Sequence, residues 1–233
     1  MPLNKAVFKT RSLTAIVFVL VMLAGLLFHP WAFAALLILV HFGCWTEFIR
    51  LLQKINRTRW SWYALTGFLY ITLPLWLLLS MAMQCSPLTV WNIHNWQFSP
   101  VLPCGIIFSI WINDTMAYVV GSLIGKTPFS SISPKKTWEG TVGGALLCVV
   151  VIGLLGYSLP IAGVLSSWQW IVVAAVCAVF GSAGDLLESK LKRVAGVKDS
   201  GAIMPGHGGF LDRFDSLLVA TTFVWVYLRL FVD

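Results

Sequence analysis

Apolar stretches about as long as a membrane-spanning helix alternate with short polar segments along the whole chain. A helix needs roughly 20 apolar residues to cross the hydrocarbon core of a bilayer. Stretches of this kind lie at residues 12–28, 31–49, 61–83, 101–124, 141–159, 168–187 and 214–231. The pattern predicts an all-α fold, a polytopic integral membrane helical bundle of about seven transmembrane helices.

The composition narrows the class of protein in the same direction. The chain has 233 residues, of which 58% are hydrophobic and only 11% are charged. These proportions exclude disordered proteins and ordinary soluble domains. The five cysteines are scattered without a CxxC spacing, so we interpret them as apolar packing residues and expect neither a zinc site nor a disulfide framework.

The chain has a formal net charge of +7, and its basic residues lie mainly in the short loops. With the amino terminus in the cytoplasm, every Lys and Arg except Arg229 falls on the cytoplasmic side, and loops 84–100 and 160–167 contain none. This separation follows the positive-inside rule and predicts that orientation. Basic loops beside a bilayer favour anionic lipids and anionic substrates over nucleic acid as partners.

Polar chemistry is concentrated in the second half of the chain. We expect amino-terminal transmembrane helices in residues 1–100, about three in number. Residues 101–233 are predicted to form the transmembrane domain that carries the candidate site, with cytoplasmic loops at 125–140 and 188–213. In the first part, Glu47 stands at the cytoplasmic end of its span, and we interpret it as a snorkelling residue or the partner of a neighbouring Arg.

The fourth predicted span contains an amide and a carboxylate, Asn113 and Asp114, inside an apolar helix. An ionisable residue within a span faces the bundle interior or a water-filled cavity and marks a functional site by default. Gly121 and Gly125 follow at a spacing that lets a second helix approach closely. Asp114 is therefore a candidate site residue, while the glycines are explained by packing.

The sequence SPKKTWEGT, which starts at Ser133, leads into the fifth span. Pro134 favours the start of a helix, and Thr137 or Thr141 can cap its amino terminus. A helix amino terminus beside Lys135 and Lys136 suits an anion such as phosphate. The alternative is a simple positive-inside anchor, and we favour phosphate binding because the glycines that follow permit close approach.

Two pairs of carboxylates flank the longest polar stretch. Asp185 and Glu188 lie three residues apart at the end of the sixth span, and Asp212 and Asp215 repeat that spacing at the start of the seventh. Residues three apart share one face of a helix, so the four groups form a plausible oxygen cage. Oxygen ligands without His or Cys suit Mg²⁺. A set of cytoplasmic salt bridges is the alternative interpretation.

His207 lies within a glycine-rich turn, between Gly206 and the pair Gly208-Gly209. The glycines permit backbone conformations that other residues avoid, and they let a ligand approach the main chain. The imidazole can donate to a phosphate oxygen or move a proton. It can equally fasten the turn to a carbonyl group, and both interpretations stay open.

The polar stretch resembles the signature of the phosphatidate cytidylyltransferase family, also called CDP-diacylglycerol synthases. The matching positions are Ser189, Lys192, Arg193, Lys198, Asp199, Gly201, Pro205, Gly206, His207, Gly208, Gly209, Asp212, Arg213 and Asp215. Upstream features of the family are matched by Asn113-Asp114-Thr115 with Ala117-Tyr118, and by SPKKT with Glu139-Gly140. The resemblance covers about residues 105–217. Met204 departs slightly from it, since Leu, Ile or Phe is usual before the proline.

The resemblance implies the reaction of CTP with phosphatidate to give CDP-diacylglycerol and pyrophosphate, at an integral membrane site on the cytoplasmic side of a bacterial inner membrane. It implies Mg²⁺ as cofactor with K⁺ beside it, and it leaves open a homodimer. The metal ligands it suggests are Asp185, Asp212 and Asp215, and the spacing described above adds Glu188 to the candidates. The catalytic candidates are Asp185, Asp212, Asp215, Lys198 and His207. The substrate-binding candidates are Asn113, Asp114, Ser133, Lys135, Lys136, Thr137, Glu139, Lys192, Arg193, Asp199, Gly208, Gly209 and Arg213.

Two other functions are compatible with parts of the pattern. A CTP-dependent lipid kinase acting on polyprenol or diacylglycerol would share a nucleotide site but transfer the γ-phosphate. A secondary transporter could use Asp114 and Asp185 as a relay. The transporter is disfavoured because the sequence shows no convincing internal repeat of the kind that many transporters contain.

Overall fold

The computed structural model describes residues 5–90, 92–203 and 208–232. Its main elements are helices, which we number in chain order. They are α1 (Lys5–Leu27), α2 (Pro30–Ile55), α3 (Trp60–Ala64), α4 (Leu73–Ala82), α5 (Val101–Ile124), α6 (Trp138–Ser158), α7 (Ser167–Val194) and α8 (Leu211–Phe231). A π-helical turn at Phe68–Thr72 joins α3 to α4, and 3₁₀ turns lie at Ile93–Asn95 and Pro160–Val164.

The predicted membrane bundle is confirmed, with six to seven helical segments long and apolar enough to cross a bilayer. Six of these in the described part of the chain are Pro30–Ile55, Trp60–Ala82, Val101–Ile124, Trp138–Ser158, Ser167–Val194 and Leu211–Phe231. Leu13–Leu27 of α1 is a shorter apolar segment. Large apolar side chains such as Leu20, Leu146 and Val179 are exposed on the outside of the bundle. Such a surface suits lipid, and the protein is an integral membrane protein.

Two helices extend further into polar sequence than the hydrophobic pattern predicts. Helix α7 continues to Val194 rather than ending near residue 187, and α2 continues to Ile55 rather than residue 49. In α7 the extension is stabilised by the ion pair between Glu188 and Lys192, four residues apart on one helix face. Basic residues in the last turn also interact favourably with the carboxyl-terminal end of the helix dipole. The predicted loop 188–213 is therefore shorter, since only residues 195–210 lie between the two helices.

Helix α6 begins where the sequence predicts a cap. The Thr137 hydroxyl accepts a hydrogen bond from the Gly140 N–H at 3.1 Å, so Thr137 rather than Thr141 is the capping residue. Trp138 is the first helical residue, and the helix starts three residues before the predicted span. The prediction of a helix amino terminus directly after the two lysines is confirmed.

Helices α5 and α6 approach each other closely along a row of small residues. A Cβ atom added to Gly144 would lie 2.6 Å from the Ala117 nitrogen, and one added to Gly140 would lie 2.6 Å from the Ala117 oxygen. On α5, a Cβ atom at Gly121 would lie 3.1 Å from the Thr137 hydroxyl oxygen. Small residues let helix backbones approach in membranes, and the packing interpretation of Gly121 is confirmed.

The order of packing determines where the helix ends meet. Helix α5 packs on α6, α6 on α7, α7 on α8, and α4 on α8, while α2 contacts α4, α7 and α8. Because successive spans run in opposite directions, the carboxyl ends of α5 and α7 lie at the same end of the bundle as the amino ends of α6 and α8. The carboxyl end of α2 lies there too, and its Glu47 contacts residues 200, 210 and 211. This end carries the polar loops.

Candidate functional site

A cavity of about 900 Å³ opens at the polar end of the bundle. Its walls come from α1, α5, the start of α6, α7, the start of α8, the segments around residues 133–137 and 198–202, and Gly208. The volume lies within the ~300–1,000 Å³ range of ligand pockets in proteins. The cavity therefore has room for a ligand larger than a simple ion.

Most of the predicted site residues line this cavity. They are Asn113, Asp114, Ser133, Lys135, Lys136, Thr137, Asp185, Lys192, Lys198, Asp199, Gly208, Asp212, Arg213 and Asp215. The two lysines of the SPKKT segment and Gly208 of the glycine-rich turn thus face one space, although about 70 residues separate them in sequence. His207, a predicted catalytic residue, lies outside the described residues.

The segment between α5 and α6 folds back on itself as a short hairpin. The Phe129 N–H donates to the Lys136 carbonyl at 2.8 Å, and the Trp138 N–H donates to the Thr127 carbonyl at 3.0 Å. Glu139 closes the base of the hairpin by accepting from the Thr127 hydroxyl at 2.9 Å and the Lys126 N–H at 3.2 Å. Glu139 does not line the cavity, so the structure places this predicted substrate-binding residue in support of the hairpin.

Lys136 ties the hairpin to α7. Its ammonium group forms an ion pair with Asp185, and the Ser189 hydroxyl donates to the other Asp185 oxygen at 3.2 Å. Lys136 and Asp185 both keep part of their side chains exposed to the cavity, at 30% and 28%. A ligand that enters the cavity can therefore reach both members of the pair.

Lys192 forms a second ion-pair cluster deeper in the same wall. It pairs with Glu188 on its own helix and donates to Asp212 Oδ1 at 2.5 Å. The other oxygen of Asp212 accepts from the Ser200 N–H at 2.9 Å and the Gly209 N–H at 2.8 Å. Glu188 is fully buried and does not line the cavity. These contacts include the salt bridges that the sequence left open as the alternative to a metal cage.

Asp114 and Asp215 complete the acidic part of the cavity. The Asn113 amide donates to Asp114 Oδ1 at 3.3 Å, and the Ser216 N–H donates to Asp215 Oδ1 at 2.6 Å. Asn113 is almost fully buried, and its Oδ1 atom has no hydrogen-bond partner within the described part of the chain. A buried hydrogen-bond acceptor of this kind beside a cavity suits a ligand that carries a hydrogen-bond donor.

The donor chemistry of these carboxylates fits Mg²⁺, although not as a four-carboxylate cage. Among residues 5–90, 92–203 and 208–232, no group of three or more His, Cys, Asp and Glu side chains is placed to hold a metal ion. Mg²⁺ commonly uses one or two carboxylates together with substrate phosphates and water. Asp185 and Asp212 both have a lysine partner, but Asp185 keeps 28% of its side chain exposed and Asp212 only 7%, while Glu188 is fully buried. Asp185 therefore suits that role better than Asp212 or Glu188, and Asp215 lines the same cavity. The magnesium site stays a prediction.

Two other predicted residues lie outside the cavity lining. The Arg193 guanidinium donates to the Val197 carbonyl at 3.5 Å and supports the chain where it leaves α7. The Gly209 N–H binds Asp212, and a Cβ atom at this position would collide with the Glu47 carboxyl group. Both residues shape the segment that carries cavity residues.

Sequence reasoning missed the role of Glu47 and did not single out Ser200. Glu47 is fully buried, and its carboxyl group accepts from the Ser200 hydroxyl at 2.7 Å and from main-chain N–H groups at the start of α8. The expected snorkelling or arginine-paired role is therefore wrong, because the donors are main-chain groups and a serine. The available signal was the carboxylate itself, since an ionisable residue in a span requires a partner.

Comparison with known proteins agrees with the resemblance in the signature region. The chain matches the profile of the "Cytidylyltransferase family" over residues 75–231, more than half of its length. It is 46% identical over 132 residues to phosphatidate cytidylyltransferase 5, chloroplastic, of Arabidopsis thaliana, covering 54% of this chain and 30% of that protein. It is 45% identical over 125 residues to phosphatidate cytidylyltransferase of Bacillus subtilis, covering 52% and 45%.

A third relative matches the chain to a similar extent. Phosphatidate cytidylyltransferase of Staphylococcus saprophyticus is 46% identical over 110 residues, which are 47% of this chain and 42% of that protein. The chain thus aligns with less than half the length of each of these relatives. The profile match spans α4 to α8, including all described carboxylates and bases that line the cavity. On this evidence the chain belongs to the cytidylyltransferase family.

Proposed function

We propose that the protein is a nucleotidyltransferase that converts CTP and phosphatidate to CDP-diacylglycerol and pyrophosphate. The observation that carries this proposal is the single cavity in which the SPKKT segment meets the start of α8. Membership of the cytidylyltransferase family and the names of the relatives support the same reaction. The chemistry of the cavity is consistent with two phosphate-bearing substrates.

Basic side chains and the amino-terminal ends of helices would bind the phosphates. Lys135, Lys136, Lys198 and Arg213 line the cavity together with Lys192. The first turns of α6 and α8 also border it, and the positive end of a helix dipole favours an anion, although the first N–H groups of α8 are already bound by Glu47. A triphosphate and a lipid phosphate can therefore be held side by side.

The cavity also has an apolar wall suited to a lipid. Phe18, Ile110 and Trp111 line it on the side of α1 and α5. Tyr118 lies further along α5 and is 77% exposed. The glycerol and acyl part of phosphatidate would lie along this wall, while its phosphate points to the lysines. This arrangement lets the lipid keep its chains in the bilayer.

The reaction requires one bond to form and one to break at the α-phosphorus of CTP. A phosphate oxygen of phosphatidate attacks that phosphorus, and the bond to the bridging oxygen of the β-phosphate breaks with release of pyrophosphate. Phosphoryl-type transfers depend mainly on alignment and on stabilising charge. Lys136 and Lys192, which line the cavity, would hold phosphate oxygens, and Arg213 would add positive charge at the start of α8.

Asp185 and Asp215 would hold Mg²⁺, with Asp114 in the same cavity wall. When bound, the ion would neutralise phosphate charge and orient the triphosphate. We infer that the site faces the cytoplasm, because the basic residues of the sequence cluster on the loops at this end. The bacterial relatives favour a bacterial cytoplasmic membrane as its location.

The proposal is tested with the purified protein in detergent micelles containing phosphatidate. Addition of CTP and Mg²⁺ is expected to give CDP-diacylglycerol, identified by lipid chromatography and mass spectrometry, and one pyrophosphate per lipid product. Omission of phosphatidate or addition of a chelator is expected to stop both products. A folded protein that forms no cytidylylated lipid under these conditions would contradict the proposal.

A further inference from the structure

Glu47 of α2 is buried where α2 meets the start of α8. Its side chain is 0% exposed, and both carboxyl oxygens accept hydrogen bonds. Oε1 accepts from the Phe210 N–H at 3.0 Å, and Oε2 accepts from the Leu211 N–H at 2.9 Å and the Ser200 hydroxyl at 2.7 Å. A buried carboxyl group with three short contacts of this kind is held firmly in one orientation.

These contacts replace a cap that α8 lacks. The helix starts at Leu211, and the residue before it, Phe210, makes no side-chain hydrogen bond to the first turn. The first N–H groups of a helix have no partner within the helix. Glu47 provides two acceptors for them from a different helix, and a negative charge at this end also interacts favourably with the helix dipole.

Ser200 connects Glu47 to the cavity. The Ser200 hydroxyl lies 2.7 Å from Glu47 Oε2 and 2.9 Å from Asp212 Oδ2, so its single proton is shared between two carboxyl groups. The Ser200 N–H also donates to Asp212, which in turn binds Lys192. Ser200 directly follows Lys198 and Asp199, which line the cavity. Glu47 is therefore linked through Ser200 to Asp212, and through Asp212 to Lys192.

The surrounding glycines leave room for this carboxyl group. A Cβ atom at Gly201 or Gly209 would collide with the Glu47 carboxyl oxygens. One turn before Glu47 on α2, a Cβ atom at Gly43 would collide with the Phe210 ring. The face of α2 formed by Gly43 and Glu47 thus packs closely against the chain that leads into α8. This close packing explains why positions 201 and 209 of the signature region are glycines.

We propose that Glu47 is a positioning residue for cytidylyl transfer. It holds the start of α8 and the segment from Lys198 to Ser200 in the arrangement in which Asp212 keeps Lys192 directed toward the substrate phosphates. Glu47 lies outside residues 75–231, so the family match does not reach it. This inference rests on the proposed function for its kinetic consequence, whereas the structural link can be measured without any activity.

The kinetic experiment uses Glu47→Gln, which keeps the shape of the side chain but replaces one acceptor oxygen with a donor. Misalignment of reacting groups by about 1 Å can cost on the order of 100-fold in rate. We expect kcat per folded molecule to fall about tenfold or more, with a smaller change in KM for CTP. Thr46→Ala is the control, because Thr46 is exposed and its hydroxyl only binds the Gly43 carbonyl.

A role in stability alone would give a different result. It would lower the melting temperature and the folded fraction of Glu47→Gln but leave the kcat of the folded molecules at the wild-type value. That outcome would overturn the inference. If Glu47→Gln does not fold, Ser200→Ala removes the hydroxyl that links Glu47 to Asp212, while the N–H contact from residue 200 to Asp212 and the two main-chain contacts of Glu47 to α8 remain. Wild-type kcat in this variant would equally contradict the inference.

A double-variant cycle tests the connection itself. Residues that act through one network have non-additive effects. We expect Glu47→Gln combined with Ser200→Ala to lower kcat by clearly less than the product of the two single effects. Fully multiplicative effects would show that the two residues act independently and would contradict the proposed link.

Hydrogen exchange separates this inference from the proposed function. In the wild-type protein, the main-chain amide hydrogens of peptides that cover residues 208–214 are expected to exchange slowly. In Glu47→Gln, we expect the same hydrogens to exchange at least tenfold faster. If the wild-type protein forms no cytidylylated lipid, the proposed function fails, but this exchange result still decides whether Glu47 holds the start of α8. Unchanged exchange in Glu47→Gln would overturn the inference whatever the activity.

Discussion

Several charged side chains of the cavity form ion pairs with one another. Lys136 is paired with Asp185, and Lys192 with Glu188 and Asp212. Near a bilayer, charges that face a cavity are commonly paired with one another. Under the proposed function, an incoming triphosphate would take over part of the Lys136 interaction and free an oxygen of Asp185 for Mg²⁺.

Lys136→Ala tests the role of this lysine in phosphate binding. A hydrogen bond to a charged group is worth about 1.5–3 kcal/mol, so we expect KM for CTP or phosphatidate to rise about tenfold or more. Initial rates at varied concentrations of each substrate measure the effect. Lys190→Ala is the matched control, because Lys190 is exposed and does not line the cavity. Equal kinetics in both variants would return Lys136 to the role of a membrane anchor.

Asp185→Asn tests the metal assignment. The substitution removes a charged oxygen ligand, and we expect the Mg²⁺ concentration for half-maximal turnover to rise at least tenfold. Turnover measured against Mg²⁺ concentration at saturating CTP gives this value, with Lys190→Ala again as control. An unchanged Mg²⁺ requirement in folded Asp185→Asn would show that the ion binds elsewhere.

The sequence was informative about residues whose chemistry contrasts with their surroundings. Asp114, Lys136 and Asp185 could be found in this way, and the structure brings them to one cavity. Glu47 contrasts with its span just as clearly, but its partners could not be inferred. They are main-chain N–H groups up to 164 residues away, and main-chain groups leave no trace in the residue types.

Among the helices, the site depends on how closely α5 approaches α6. Gly140 and Gly144 face the backbone of Ala117, and this contact brings the hairpin at residues 125–137 over the end of α5. The hydrophobic pattern located these spans well because each contains a long apolar stretch. It missed the polar extensions of α2 and α7, and in α7 the paired side chains Glu188 and Lys192 stabilise the helix beyond the apolar sequence.

Gly144→Ala tests the helix contact. Alanine favours a helix by about 1 kcal/mol over glycine, but here its Cβ would meet backbone atoms that cannot move aside locally. Overpacking typically costs about 1–3 kcal/mol, so we expect net destabilisation. Thermal unfolding in detergent measures it.

Gly163→Ala is the control for this substitution, because a Cβ atom at Gly163 would meet nothing within 4 Å. Its melting temperature is expected to stay near that of the wild-type protein. A Gly144→Ala variant as stable as Gly163→Ala would contradict the close packing of α5 on α6.

For the molecule as a whole, the alternation of helices places all polar loops of the site at one end of the bundle. The sequence could predict this because an even number of spans separates those loops. It could not predict that α2 reaches the site, since the amino-terminal part resembles the family only in being apolar. That contribution depends on packing between helices distant in sequence.

Labelling of single cysteines tests the predicted orientation. Thr89→Cys and Ser131→Cys, each in a background without the native cysteines, place an exposed thiol at opposite ends of the bundle. In right-side-out vesicles we expect a membrane-impermeant maleimide to label position 89 and spare position 131. Detergent should make both accessible, and the reverse pattern in intact vesicles would place the site outside.

The transfer of the α-phosphorus distinguishes cytidylyl transfer from a lipid kinase reaction. The wild-type protein is incubated with phosphatidate, Mg²⁺ and CTP radiolabelled at either the α- or the γ-phosphate, and the lipid phase is then extracted. We predict that the α-label enters the lipid while the γ-label stays in the aqueous phase as pyrophosphate. Entry of the γ-label into lipid, or of neither label with folded protein, would contradict cytidylyl transfer.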